Sequence, residues 1–182
     1  MTDIELMNSV RDGDIAQLAH LFDRHHVKLY NFCLRMSNER DASEDFVQEV
    51  FLRMLKYRHT FRGNGEFVAW MYHLARNVLN DHFKKGVHES DGRDGEHDVP
   101  APDPLAQEQL EQQQEQELLL QALGRLPAEK KEILILARYQ DLRYEVIAEI
   151  LGCSVEAVKV RVHRAMAELR TIFFELSGEK SR

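Results

Sequence analysis

The sequence predicts an all-α protein of two small helical domains joined by a flexible acidic linker, the second domain containing a helix-turn-helix. Three observations predict it. Apolar residues recur at helical spacing through most of the chain, no stretch alternates apolar and polar residues as a half-buried strand does, and one internal segment is rich in Gly, Pro and acid. With 182 residues, 43% hydrophobic and 30% charged, the chain has an ordinary globular composition and enough length to bury a core.

The elements follow in order. Thr2 with Glu5 three positions on is a capping-box pattern for a short first helix. Asp14 is placed to cap a second, with apolar residues at Ile15, Leu18, Leu21, Phe22, Leu29, Phe32 and Cys33. A third is signalled at Asp41, where Glu44 and Asp45 suit the positive end of a helix dipole. Its stripe is Phe46, Val47, Val50, Phe51, Met54 and Leu55. Phe61-Arg62-Gly63-Asn64-Gly65 breaks the period and reads as a tight loop. Phe67, Trp70, Met71, Leu74, Ala75, Val78 and Leu79 then mark the cleanest amphipathic helix of the chain, with Trp70 assigned to the core.

Residues 86–104 hold almost nothing apolar, so they bury too little surface to offset the ordering of their backbone and are expected to be a linker. The Gln/Glu run at 107–117 favours helix and leads toward Leu118, Leu119, Leu120 and Leu123. Pro127 suits a helix start, where its missing N–H costs nothing. Residues 132–139 are apolar enough to be core. The expected division is a first domain over 1–85, a linker over 86–116 and a second domain over 117–182.

The net charge of −7 is misleading as a whole-chain number. Residues 1–85 carry 12 basic and 12 acidic side chains, residues 86–115 carry one and nine, and residues 116–182 carry 11 and 10. The acidity therefore belongs to one short segment, and the flanking domains are near neutral with local basic clusters. Two cysteines far apart in sequence argue against a disulfide framework, and the N-terminal residues have neither a basic patch nor an apolar core of an export signal. Apolar runs fall well short of the roughly 20 residues a membrane span needs. The expected location is the cytoplasm, with no membrane insertion.

The sharpest functional signal is at the C-terminal end. Residues 144–151 read as a short helix with Val146, Ile147, Ile150 and Leu151 apolar; Gly152-Cys153-Ser154 turns the chain; and Ser154 caps a second helix with Val155, Val158, Val162, Ala165 and Leu169 as its buried stripe. Lys159, Arg161, His163, Arg164 and Arg170 occupy the opposite face. A short helix, a three-residue turn and a longer helix with a basic outer face is the arrangement that places its second helix in a DNA major groove. The plainer alternative is a helical hairpin with a solvated basic face.

Residues 41–53 (DASEDFVQEVFLR) resemble the polymerase-binding segment of bacterial RNA polymerase sigma factors. Phe61-Arg62-Gly63, Phe67, Trp70-Met71 and Ala75-Arg76-Asn77 resemble the promoter-melting segment of the extracytoplasmic-function (ECF) group, and residues 144–164 resemble that group's second DNA-binding domain. The resemblance covers residues 14–85 and 118–170 in the family's order. It implies that Asp45, Gln48, Glu49 and Phe51 face the core polymerase, through its β′ subunit, and that the β subunit and promoter DNA are further partners. It implies that Phe61, Arg62, Arg76, Asn77, Lys84 and Lys85 serve the minus-ten DNA: an aromatic ring for stacking, an amide for a base edge, cations for phosphate. Arg53, Lys56 and Arg58 are further phosphate candidates. Taken singly, Phe61 is equally a loop anchor, Asn77 a helix-surface residue and each cation part of a solvated face. Lys159, Arg161, His163 and Arg164 match the face that reads the minus-thirty-five element. An anti-sigma protein is a candidate partner that the residues neither demand nor exclude.

Two departures stand out. Arg143 replaces a common Ser and so removes a helix cap for which Asp141 is the expected substitute; Val160 replaces a small polar residue, so base preference does not transfer from relatives. The acidic linker is a candidate occupant of basic polymerase channels or a shield over the DNA-binding faces.

Enzymatic readings fit poorly, and no cofactor is expected. His88-Glu89 lacks the second His of a zinc-protease motif, Gly63-x-Gly65 lacks a third Gly and a preceding strand, and residues 91–98 interrupt a calcium-loop pattern with Arg93 and Gly95. His20, His25, His26 and Cys33 share a helix without a known ligand spacing, so no metal is expected. The function read from the sequence is that of a sigma factor, with a stand-alone helix-turn-helix regulator as runner-up and a helical adaptor or partner-sequestering antagonist third.

Overall fold

The computed structural model describes residues 1–86 and 107–178, with backbone alone over 107–112. The acidic stretch on which the linker, channel and shield expectations rest lies outside the described residues over 87–106. Among the described residues there are helices and turns and no strand.

The first unit is made of α1 (Asp3–Arg11), α2 (Leu18–Ser37), α3 (Arg40–Lys56) and α4 (Phe67–Gly86). The capping box forms as its residues dictate: Thr2 Oγ1 accepts from the Glu5 N–H at 3.3 Å and Glu5 Oε2 accepts from the Thr2 N–H at 2.6 Å. Asp14 does not cap α2. It opens a short 3₁₀ turn over Ile15–Gln17, and its carboxylate accepts from Gln17 Nε2 at 2.9 Å, so the α-helix begins four residues later. Asn38, at φ 60°, ends α2 in the left-handed conformation that Asn tolerates better than most side chains. α3 begins at Arg40, with Asp41 in its first turn.

The core of this unit contains Leu6, Met7, Leu29, Phe32, Met54, Phe67 and Met71, all essentially inaccessible. Phe32 and Tyr72 meet edge to face at 5.1 Å. Cys33 is part of that core; burial pushes its thiol up to about 12, which leaves it protonated and unreactive at neutral pH. Of the histidines that share α2 with it, His25 Nε2 lies 2.7 Å from Asp3 Oδ2, and His26 Nδ1 lies 2.8 Å from the Phe22 carbonyl.

The second unit packs α5 (Gln107–Arg125), α6 (Ala128–Leu134) and α7 (Tyr144–Leu151) against α8 (Val155–Ser177). Helical backbone therefore starts at Gln107, inside the stretch expected to be linker, because Gln and Glu carry good helix propensity. Pro127 stands at the N-cap of α6 rather than inside it. Residues Ile135–Tyr139 continue α6 as a π-type turn that buries Ile135, Leu136 and Ala137. Asp141 follows at φ 52° and does not cap α7; the N-cap residue is Arg143, whose side chain makes no capping bond. Gly152, at φ 63°, ends α7 in a conformation a Cβ would strain. Ser154 Oγ accepts from the Ala157 N–H at 3.1 Å and starts α8.

The units touch. α4 lies against α7, and α2 lies against α6 and the π-type turn.

Candidate polymerase and nucleic-acid surfaces

The first candidate surface is the outer face of α3. Asp45 and Gln48 are exposed there, and Glu49 is half-buried. Glu49 holds Arg53 Nε at 2.7 Å, while Arg53 Nη2 reaches Asp81 of α4 at 2.9 Å. Donation of hydrogen bonds to Glu49 and then Asp81 raises the Arg53 pKa above its ordinary value. Phe51 departs from expectation. It is 6% exposed and its ring lies 5.0 Å from that of Phe22, so it braces α2 against α3 and offers no ring to a partner. The exposed apolar group is its neighbour Leu52, at 61%, which lines a shallow cleft with Glu49, Arg53, Lys56, Tyr57 and Asp81. The sequence reading missed Leu52 and Tyr57. A leucine one position off the α3 core stripe, among charged residues, was the signal available.

The second surface is the loop before α4 and that helix's outward side. Gly63, at φ 70°, makes the turn, and a Cβ there would fall 2.9 Å from Asn8 Oδ1. Phe61 is 3% exposed and packs against Trp70 at 5.3 Å and Phe67 at 6.2 Å, while Arg11 Nη1 donates to its carbonyl. It anchors the loop and presents no free face for stacking. Trp70 is half-buried rather than fully core. Arg62, Asn77, Lys84 and Lys85 are exposed.

Arg76 is committed to the second unit. Its Nε donates to Glu132 Oε1 at 2.6 Å, its Nη2 to Glu132 Oε2 at 3.3 Å and its Nη1 to the Ile150 carbonyl at 2.9 Å. This planar, two-pronged grip suits a guanidinium. Four further ties cross the same junction. Tyr72 Oη donates to Gln140 Oε1 at 2.9 Å with both groups buried, and burial pushes the phenol pKa up so that it stays a donor. Lys131 Nζ donates to the Met36 carbonyl at 3.2 Å, and burial lowers its pKa. Arg143 Nη2 meets Glu66 Oε1 at 2.8 Å, and Arg35 stacks over Tyr139 at 4.2 Å. Gly65 sits so close to α7 that a Cβ would lie 2.6 Å from Glu149 Oε1.

The third surface is the outer face of α8. Lys159, Arg161, His163 and Arg164 are all exposed, while Val158, Val162, Ala165 and Leu169 face inward. Glu168, further along the helix, pairs with Lys130 of α6. The sequence-derived helix-turn-helix is therefore present with its basic face outward. Of the predicted minus-ten residues, the structure places Arg62, Asn77, Lys84 and Lys85 at the surface and holds Phe61 and Arg76 inside contacts.

Comparison with known proteins gives two family matches in the same chain. Sigma-70 region 2 matches residues 21–88, and Sigma-70 region 4 matches residues 116–169. The chain is 30% identical over 169 residues to the ECF RNA polymerase sigma factor EcfG of Rhodopseudomonas palustris (strain TIE-1), covering 93% of this chain and 87% of that protein. It is also 30% identical to the ECF sigma factor SigX of Bacillus subtilis (strain 168), covering 82% and 80%. Among solved structures, CnrH in complex with the cytosolic domain of CnrY superposes with a TM-score of 0.70 at 22% identity, over 93% and 96% of the two chains. The sigma factor RpoE in complex with the anti-sigma factor NepR from Bartonella quintana gives 0.65 at 25% identity, over 90% and 98%.

Proposed function

The chain belongs to the ECF group of RNA polymerase sigma factors, and from that membership we propose how its three surfaces divide the work of starting transcription. It is a sigma factor that directs promoter recognition. We assign residues 1–85 to core-polymerase binding and promoter melting, residues 86–116 to the connection between domains, and residues 117–182 to upstream promoter binding. The chain acts as a non-catalytic subunit; the polymerase supplies the chemistry. We place its action in the cytoplasm, beside the polymerase; among the described residues no helix is long and apolar enough to cross a membrane.

The observation that carries the reading is the ordered pair of family matches, region 2 then region 4, with a helix-turn-helix inside the second. Asp45, Gln48 and Glu49, extended by exposed Leu52 and Tyr57, face the polymerase; Phe51 supports them from inside. An apolar centre ringed by charge suits a protein interface. Arg62, Asn77, Lys84 and Lys85 meet the minus-ten DNA as the chain stands, whereas Arg76 joins them only once α4 and α7 part, and Phe61 only once its loop lifts from Trp70 and Phe67. Lys159, Arg161, His163 and Arg164 meet the upstream element. Two weak DNA-binding modules on one polymerase gain through effective concentration, which explains how near-neutral domains suffice. An anti-sigma protein is an expected partner, since RpoE of Bartonella quintana was crystallised with one.

The test is direct. Purified chain added to core RNA polymerase gives run-off transcripts from discrete start sites on promoter DNA and binds the isolated promoter weakly without polymerase. A chain that ignores core polymerase yet holds an intact duplex site on its own is a stand-alone regulator, a reading that the paired family matches disfavour.

A further inference from the structure

One exposed residue on α8 is out of keeping with its neighbours. Helical spacing puts Glu156, Val160 and Ala167 along the middle of the side opposite the buried Val158, Val162, Ala165 and Leu169, with His163 off to one side of that line and Arg164 to the other. Val160 is 48% exposed. A β-branched residue on a helix surface is a poorer helix former than Lys, Arg or Gln, and at this exposure it recovers little by burial. Lys159 and Arg161 lie to either side of it along the helix circumference. Glu156, one turn earlier on the same stripe, repels phosphate. A helix carrying acid and an aliphatic group along its centre and cations on its flanks is arranged to set the flanks on the two phosphate walls of a groove and the centre on base edges.

We propose that Val160 is a specificity-determining residue that reads the C5-methyl group of one thymine in the upstream promoter element. In the major groove thymine is the base whose edge presents an apolar group, and an aliphatic side chain at the centre of the helix can contact it while gaining nothing from the polar edges of the other bases. This inference rests on the reading of α8 as the upstream DNA-binding helix.

The experiment uses holoenzyme assembled from full-length chain and core polymerase, on a promoter from which it initiates. Each thymine of the upstream duplex element is replaced in turn by deoxyuridine, which removes the methyl and keeps the base pair, and affinity is measured at fixed salt. With the unaltered chain, one replacement weakens binding about fourfold, the worth of one methyl group removed from water. With Val160→Ala that replacement has no effect, and every other replacement behaves alike in the two proteins. Lys159→Ala, by contrast, weakens binding to all the duplexes uniformly. An unaltered chain indifferent to every replacement, an upstream element with no thymine, or a loss that persists undiminished in Val160→Ala overturns the inference. A chain that starts transcription but is blind to methyl removal overturns this inference alone; one that starts none overturns the sigma-factor reading with it.

Discussion

Tyr72 of α4 and Gln140, which follows the π-type turn, lie 68 residues apart in the chain and share a buried hydrogen bond of 2.9 Å across the junction of the two helical units. The tie is neutral, enclosed and dependent on both units being in place. Tyr72→Phe removes the donor and leaves the Gln140 carbonyl oxygen buried without it, at a cost of about 1–3 kcal/mol. Gln140→Leu combined with Tyr72→Phe costs less than the two single changes added together, because neither partner is then stranded. Chemical denaturation of the four proteins measures both effects.

The Arg76–Glu132 pair ties a residue of the proposed minus-ten face to the second unit. Glu132→Ala removes the carboxylate that Arg76 grips on two prongs, leaves it only the Ile150 carbonyl, and so favours the parted junction in which the guanidinium is free. Free chain carrying this change binds a single-stranded minus-ten oligonucleotide at least several-fold more tightly, and its log affinity against log salt steepens by about 0.7, the share of one phosphate on a single strand. Fluorescence anisotropy across a salt series reads both. An unchanged slope means that Arg76 stays off the DNA even when free.

Phe51 and Leu52 separate folding from docking. Phe51→Ala empties a packed position between α2 and α3 and costs about 3–5 kcal/mol of stability. Leu52→Asp leaves the denaturation midpoint nearly unmoved, because the side chain is already in water, and lowers affinity for core polymerase at least tenfold. Denaturation and a core-binding assay on both variants give opposite rankings.

Asp3 sets part of the acid limit of the first unit. Burial pushes its carboxyl up, but hydrogen bonds from Arg24 and His25 outweigh that and leave it below the ordinary value of 3.8. A carboxyl depressed in the folded state contributes stability above its unfolded pKa, and that contribution fades as pH falls through the folded one. Asp3→Asn is therefore less stable than the unaltered chain at neutral pH, and the gap closes as pH drops below 3.8. Denaturation midpoints between pH 7 and pH 2.5 test the sign.

The fold was legible in the sequence wherever a helix keeps one apolar stripe against one core. The stripe on α4, the Thr2–Glu5 box, the limits of α7 and the Ser154 cap all follow from local spacing and local hydrogen bonds. Local reasoning failed where a competing contact decides, within a turn or from a second element. Asp14 had a nearer partner in Gln17, so the chain made a 3₁₀ turn before the helix. Phe51 and Phe61 are aromatic residues at positions where the family resemblance implies contact with a partner, yet Phe22 and Trp70 cover them. Nothing in the spacing of α4 reveals that Arg76 would find Glu132 56 residues away. Arg143 shows the same limit: as a missing cap it was a deficit, whereas its guanidinium reaches Glu66 in the other unit.

Charges, amides and a phenol fasten the junction at separate points, over an apolar core that runs on from one unit into the other. Dissolved ions weaken the charged fastenings, most of all the exposed Arg143–Glu66 pair, while leaving the enclosed Tyr72–Gln140 bond nearly untouched. Salt therefore acts on the rim of the junction and spares its apolar and amide centre.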